Sequence, residues 1–182
     1  MQNLAESKII KISDSEDKWI LSRLENTTEK FTNGIKNFEF QNSLREISKF
    51  LLEELSRSYI QMNRDKEKGA VISFCLERVL KLLAPISPFL TEKIWQKLRE
   101  KKIAGEESVH LSDWPEADTG KINKKLEEEF ASALKIIEKG LAERDAAKIG
   151  LRWPLAKAIV SCDFQISAEM KEIIARQLNV KK

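Results

Sequence analysis

Apolar residues recur every three or four positions through five stretches of the chain, which is the spacing of one buried face of an α-helix. These stretches are 20–35, 44–60, 71–82, 89–98 and 126–141. Most of them are joined by short polar connections, and helices joined in this way pack as antiparallel neighbours. The pattern therefore predicts an all-α fold, an antiparallel helical bundle.

Proline and glycine positions indicate where the helices end. Pro85 and Pro88 separate the third helix from the fourth, because proline cannot continue the hydrogen-bond ladder of a helix. Gly150 is predicted to let the last long helix end, and Pro154 prevents that helix from continuing.

The C-terminal residues follow a different pattern. Residues 155–164, LAKAIVSCDF, are typical of a strand, and residues 167–182 are typical of a helix. One strand and one helix cannot form a stable sheet on their own. We therefore expect a short C-terminal strand-plus-helix appendage that is the truncated edge of another domain.

Length and charge set weak limits on function. The 182 residues suit one domain with a small appendage, and charged residues make up 34% of the chain, which is typical of long helices with solvated faces. The formal net charge is only +3. A nucleic-acid partner must therefore be argued from where the basic residues lie rather than from their total.

The chain contains no recognisable catalytic motif. It has no glycine-rich phosphate loop, and His110 is the only histidine, in a segment where we expect it to be exposed. Cys75 and Cys162 are far apart, so we expect two buried, reduced thiols and no metal site. No apolar run could span a membrane. We expect a soluble, cytoplasmic protein without catalytic residues.

Five segments, taken in order, resemble one family. They are DKWILSRL at 17–24, ELSRSYIQMNRD at 54–65, LLAPISPFLTEKIWQKL at 82–98, ESVHLSDWPEAD at 107–118 and RDAAKIGLRWPLAKAIV at 144–160. Together they resemble the anticodon-binding domain of class I aminoacyl-tRNA synthetases of the isoleucine, valine and leucine group. SRSYIQMNRD and the KxxLRWPL pattern are most similar to the isoleucyl enzymes of archaeal or eukaryotic-like type. The leucyl and valyl enzymes remain alternatives.

The resemblance implies an organisation in three parts. Residues 1–13 would be a leading segment from a preceding domain, 14–149 the helical anticodon-binding domain, and 150–182 the start of a C-terminal junction domain. The parent enzyme would be an ATP- and magnesium-dependent tRNA ligase of protein biosynthesis. Its ATP signature needs two histidines, and this chain has one. The fragment is therefore predicted to be catalytically inactive and to bind no cofactor.

The resemblance also implies partners and candidate RNA-binding residues. The partners are tRNA and the catalytic and C-terminal domains of the parent chain, and we expect a monomer. The candidates form a cluster at the end of the second helix and in the loop after it, and a basic hinge near the C-terminus: Arg57, Tyr59, Arg64, Lys66, Lys148, Arg152 and Trp153. Cations would contact phosphates and aromatic rings would stack on unpaired bases.

Each candidate has a purely structural interpretation as well. Charges at a helix end are often only solvated, and aromatic residues at helical spacing more often belong to a core. We therefore favour core or domain-junction packing over base stacking for Tyr59 and Trp153, as for Trp19, Trp95 and Trp114. A helical protein-interaction module without RNA binding remains the second functional hypothesis, and the small net charge is its best support.

Overall fold

The fold is all-α, as the sequence predicts. The computed structural model describes residues 12, 14–162 and 164–181, so the predicted leading segment 1–13 lies outside the described residues except for Ile12. The α-helices in the described part of the chain are α1 (Ser15–Lys36), α2 (Phe40–Lys49), α3 (Gly69–Leu83), α4 (Pro88–Glu100), α5 (Lys124–Ala146) and α6 (Ala168–Gln177). Their positions match the apolar stretches and confirm the helical prediction.

Helix α2 continues without a break into a π-helical segment, Phe50–Ile60. Within this segment the Ser58 hydroxyl donates to the backbone carbonyl of Glu53, five residues earlier, at 2.7 Å. Together α2 and the π-helical segment form the second helix that the sequence predicts, and both of them pack against α1.

The described residues divide into two compact units, with the boundary between Ile122 and Asn123. In the first unit α1 packs against α2, the π-helical segment and α3, and α3 packs against α4. Its core includes Trp19, and Trp95, whose indole Nε1 donates to the carbonyl of Glu106 at 2.9 Å. The predicted core positions of these two tryptophans are therefore confirmed. The predicted domain boundaries at 13/14 and 149/150 stay predictions.

In the second unit α5 packs against α6. Gly140 permits this approach, because a Cβ atom there would lie 2.6 Å from Leu178 Cδ1. The predicted C-terminal helix is confirmed as α6, but the predicted strand at 155–164 is not formed in its described residues. Leu155 makes only an isolated parallel bridge to Val180. The backbone has no neighbouring strand in the described chain with which to extend that bridge.

Helix α5 does not end as the sequence predicts. No glycine among the described residues has a positive φ, so Gly150 does not supply the left-handed turn. Lys148 takes that conformation instead, with φ 56°. The amides of Lys148 and Ile149 donate to the carbonyls of Asp145 and Arg144 at 2.9 Å each. These two bonds form the helix-ending Schellman motif, with lysine where glycine is usual.

Candidate nucleic-acid interface

The predicted cluster at the end of the second helix and in the following loop contains a buried ion network that the sequence does not reveal. Lys68 Nζ lies 2.7 Å from both Asp14 Oδ1 and Asp17 Oδ2. The hydroxyl of Tyr59 donates to Asp17 Oδ1 at 2.6 Å. These contacts join the start of α1 to the end of the π-helical segment and to the loop that follows it. We call Asp14, Asp17, Tyr59 and Lys68 the lysine–aspartate network.

Tyr59 belongs to this network and to the core. Its side chain is fully buried. Burial, and then the negative charge of Asp17, raise the pKa of Tyr59 well above its usual value. A base cannot stack on this ring while the helices stay packed. The structure therefore supports the core interpretation of Tyr59 and removes it from the candidate interface.

Lys66 is also engaged by carboxylates. Its Nζ lies 2.7 Å from Asp14 Oδ2 and 3.2 Å from Glu16 Oε1, and a third of its side chain is exposed. Two carboxylates already neutralise this ammonium, so it is a poor phosphate ligand. Arg57 and Arg64 differ from it, because both are exposed and neither forms an ion pair with a described residue. They are the free cations of this cluster.

The network predicts an acid-sensitive stability. Burial alone would raise the pKa of Asp14, but hydrogen bonds from Lys66 and Lys68 outweigh it and lower the pKa from 3.8 to about 2. A lowered folded-state pKa stabilises the fold above the unfolded value, and that stabilisation is lost as the pH falls to the folded value. The free energy of unfolding should therefore decrease between about pH 4 and pH 2. In urea titrations, Asp14→Asn should show a weaker decrease, and an unchanged pH profile would contradict this origin.

The predicted basic hinge is a tight turn fastened by a buried arginine. Arg144 Nη2 donates to the carbonyls of Gly150 at 2.8 Å and Trp153 at 2.6 Å. The Trp153 amide donates to the Gly150 carbonyl at 3.0 Å. Lys148 and Arg152 are exposed on this turn and have no ion-pair partner among the described residues. The role of Arg144 is not visible in the sequence, because a buried arginine has no sequence pattern of its own.

Trp153 is exposed, contrary to the packing role that the sequence favours. Its exposed fraction is 72%. Trp114 is not in the core either, because 37% of it is exposed; its ring stacks on Phe31 and its indole Nε1 donates to Thr32 Oγ1 at 3.0 Å. The structure thus reverses the expectation for Trp153, since the aromatic ring of the hinge is exposed on the same short turn as the free cations Lys148 and Arg152. The hinge turn, residues 148–153, is the stronger candidate for contact with unpaired bases.

The remaining expectations concern the histidine, the two cysteines, metal binding and membrane-spanning helices. His110 is exposed, as predicted. Cys75 is buried, and burial raises the pKa of its thiol to about 12, but Cys162 is exposed, which corrects the expectation that both thiols are buried. Within the described ranges no three His, Cys, Asp or Glu residues are placed to hold a metal ion. No helix among those residues is long and apolar enough to cross a membrane.

Comparison with known proteins extends the structural evidence. The family model described as the anticodon-binding domain of tRNA ligase matches residues 17–160. The isoleucine–tRNA ligase of Thermococcus kodakarensis is 37% identical over 92% of this chain, which covers 17% of that protein. The corresponding ligase of Streptomyces coelicolor is 34% identical over 90% of this chain, which covers 16% of it.

The chain thus spans about a sixth of the length of these curated relatives. The matched residues include α2 to α5 completely and α1 from Asp17 onward. They also include the hinge turn and every residue of the lysine–aspartate network except Asp14. Because this match covers most of the chain, the chain belongs to the family of anticodon-binding domains of tRNA ligases.

Proposed function

We propose that this chain binds tRNA as the anticodon-binding domain of an isoleucine–tRNA ligase. The observation that carries the proposal is the hinge turn, which exposes Trp153 together with the free cations Lys148 and Arg152. The names of the relatives support isoleucine as the amino acid of the parent enzyme.

The proposed binding uses two kinds of contact, between cations and phosphates and between an aromatic ring and a base. Arg57 and Arg64 in the first unit, and Lys148 and Arg152 in the second, contact phosphates, which hold the RNA without reading its sequence. The indole of Trp153 stacks on an unpaired base, as single-stranded RNA is commonly recognised. Arg144 positions the indole by fixing the carbonyl of the same residue.

ATP and magnesium would be bound by other segments of the parent ligase. The sequence has no glycine-rich phosphate loop, and no three His, Cys, Asp or Glu residues of the described chain are placed together to hold a metal ion. The role of this chain is to hold the tRNA for a catalytic core. We also propose that the parent enzyme is a cytoplasmic monomer.

Trp153→Ala tests the stacking role. Loss of one base–aromatic stack costs about 1–3 kcal/mol, so affinity for an isoleucine anticodon stem-loop should fall about fivefold or more. The difference in affinity between matched and mismatched anticodons should become smaller, because the remaining phosphate contacts do not depend on the base sequence. Fluorescence anisotropy with labelled stem-loops measures both quantities, after circular dichroism confirms folding. Phe164→Ala, a half-exposed aromatic of the same unit, is the control. Equal losses from both variants would argue against a specific role for Trp153.

A further inference from the structure

The turn between α1 and α2 places an aromatic side chain where glycine is usual. The Glu39 amide donates to the Gly34 carbonyl at 2.7 Å, and the Phe38 amide donates to the Ile35 carbonyl at 3.1 Å. These are the two bonds of a Schellman motif, with Phe38 in the left-handed position at φ 60°. The other described non-glycine residues with positive φ are polar: Lys102, Lys148 and Asn179.

Packing does not explain the phenylalanine. The left-handed conformation is unfavourable for a residue with a bulky side chain, and glycine avoids that cost. Burial of the ring could offset it, but 80% of Phe38 is exposed. The residue is thus unfavourable to the backbone and adds little to the core. Unfavourable backbone conformations of this kind are concentrated at binding and catalytic sites.

A second aromatic ring braces the first. The rings of Phe38 and Phe40 meet edge to face, with centroids 6.1 Å apart and planes at 77°. Phe40 is itself about half exposed. The backbone beneath them is tightly packed, because the Ser43 hydroxyl donates to the Glu39 carbonyl and closely approaches the position that a Cβ atom of Gly34 would occupy. The turn therefore holds an oriented aromatic pair in solvent.

The surroundings of the pair favour RNA over an apolar protein surface. Exposed amide side chains lie on both sides of it in the sequence: Asn33, Asn37, Gln41 and Asn42. Amides recognise the edges of bases, and aromatic rings receive their faces. Lys36 and Arg45 are exposed nearby, against one exposed carboxylate at Glu39, so the local charge is positive. An apolar partner would leave these amides and charges without hydrogen bonds.

We propose that Phe38, braced by Phe40, stacks on an unpaired nucleobase of the tRNA that this chain binds. This inference rests on the proposed function and adds to it a second base contact, in the first compact unit. The site takes a base from a single-stranded loop, since a paired base in a helix does not expose its face.

Phe38→Gly separates binding from folding. Glycine suits the left-handed turn, so the variant should melt at or above the temperature of the parent chain. Its affinity for an isoleucine anticodon stem-loop should nevertheless fall about tenfold, as expected for loss of one base stack. Affinity for a fully paired RNA duplex of the same length should not change. Phe38→Leu, which keeps the apolar bulk but not the aromatic face, should also lose affinity.

Phe89→Ala is the matched control, because Phe89 is also a strongly exposed phenylalanine of the first unit but lies at the start of α4. It should bind the stem-loop like the parent. Stem-loops carrying the fluorescent base 2-aminopurine at one loop position each can locate the stacked base. The parent chain should quench the fluorescence at the position that stacks on Phe38, and Phe38→Gly should not quench it there.

The outcomes separate the two proposals. If the parent binds the stem-loop and Phe38→Gly binds it equally well, the Phe38 inference is wrong while the proposed function stands. Full affinity in Phe38→Leu would replace stacking with an apolar contact and would also overturn it. If the parent binds no stem-loop at all, both proposals fail.

Discussion

Replacing Lys68 by methionine should lower the free energy of unfolding by about 3–5 kcal/mol, the usual cost of removing one partner from a buried ion pair. The Lys68 side chain is 7% exposed and that of Asp17 is 1% exposed. Without the ammonium, Asp17 keeps a buried charge with one fewer hydrogen bond. Burial alone would lower the pKa of Lys68, but hydrogen bonds to Asp14 and Asp17 raise it, so the ammonium stays charged at neutral pH.

Lys66→Met is the matched control for this prediction. Lys66 pairs with Asp14 and with the buried Glu16, but a third of its own side chain is exposed, so its removal should cost less than removal of Lys68. Urea denaturation followed by far-ultraviolet circular dichroism gives both free energies. Similar losses from the two variants would mean that burial of the network does not govern its strength. Because the network joins α1 to the loop that carries Arg64, Lys68→Met should also weaken any RNA contact of that loop.

The helices could be predicted from sequence because their signal is local. Stripes such as Val71, Cys75, Val79 and Leu82 repeat at the helical period, and each of these residues is buried. Pro85 and Pro88 also predict the break between α3 and α4 correctly, since α3 ends at Leu83 and α4 begins at Pro88. Pattern and burial agree in these segments because each helix packs one face against its neighbours.

The candidate site was harder to predict because it depends on contacts between distant residues. Tyr59 and Lys68 meet Asp17 across 42 and 51 positions, and no spacing rule identifies such partners. Trp153 lies in a turn, where periodicity gives no information about burial. The ends of helices were also missed, because Phe38 and Lys148 occupy turns for which the sequence rules expect glycine.

Binding of tRNA should be strongly dependent on salt. Four cations are exposed and form no ion pair with a described residue: Arg57, Arg64, Lys148 and Arg152. If each neutralises one phosphate of a single-stranded segment, log K should fall with log salt at a slope of about −2.8, or roughly fiftyfold between about 50 and 200 mM. Each replacement by glutamine should reduce the slope by about 0.7, whatever the anticodon.

Lys66→Met again supplies the contrast for these four variants. Asp14 and Glu16 already neutralise Lys66, so its removal should leave the slope close to that of the parent. If Lys66→Met changed the slope of log K against log salt as much as Arg64→Gln does, Lys66 would have to be a phosphate contact. Circular dichroism on each variant separates loss of phosphate contacts from loss of folding.

The affinity of the unmodified chain for the isoleucine anticodon stem-loop, measured across a series of salt concentrations, decides whether this chain recognises RNA. The proposed function predicts binding that weakens with a slope of about −2.8 and is tighter for the matched anticodon than for a mismatched one. No binding at low salt, or binding that neither salt nor anticodon changes, would contradict RNA recognition by this chain. Salt-insensitive binding would instead favour an apolar interaction surface.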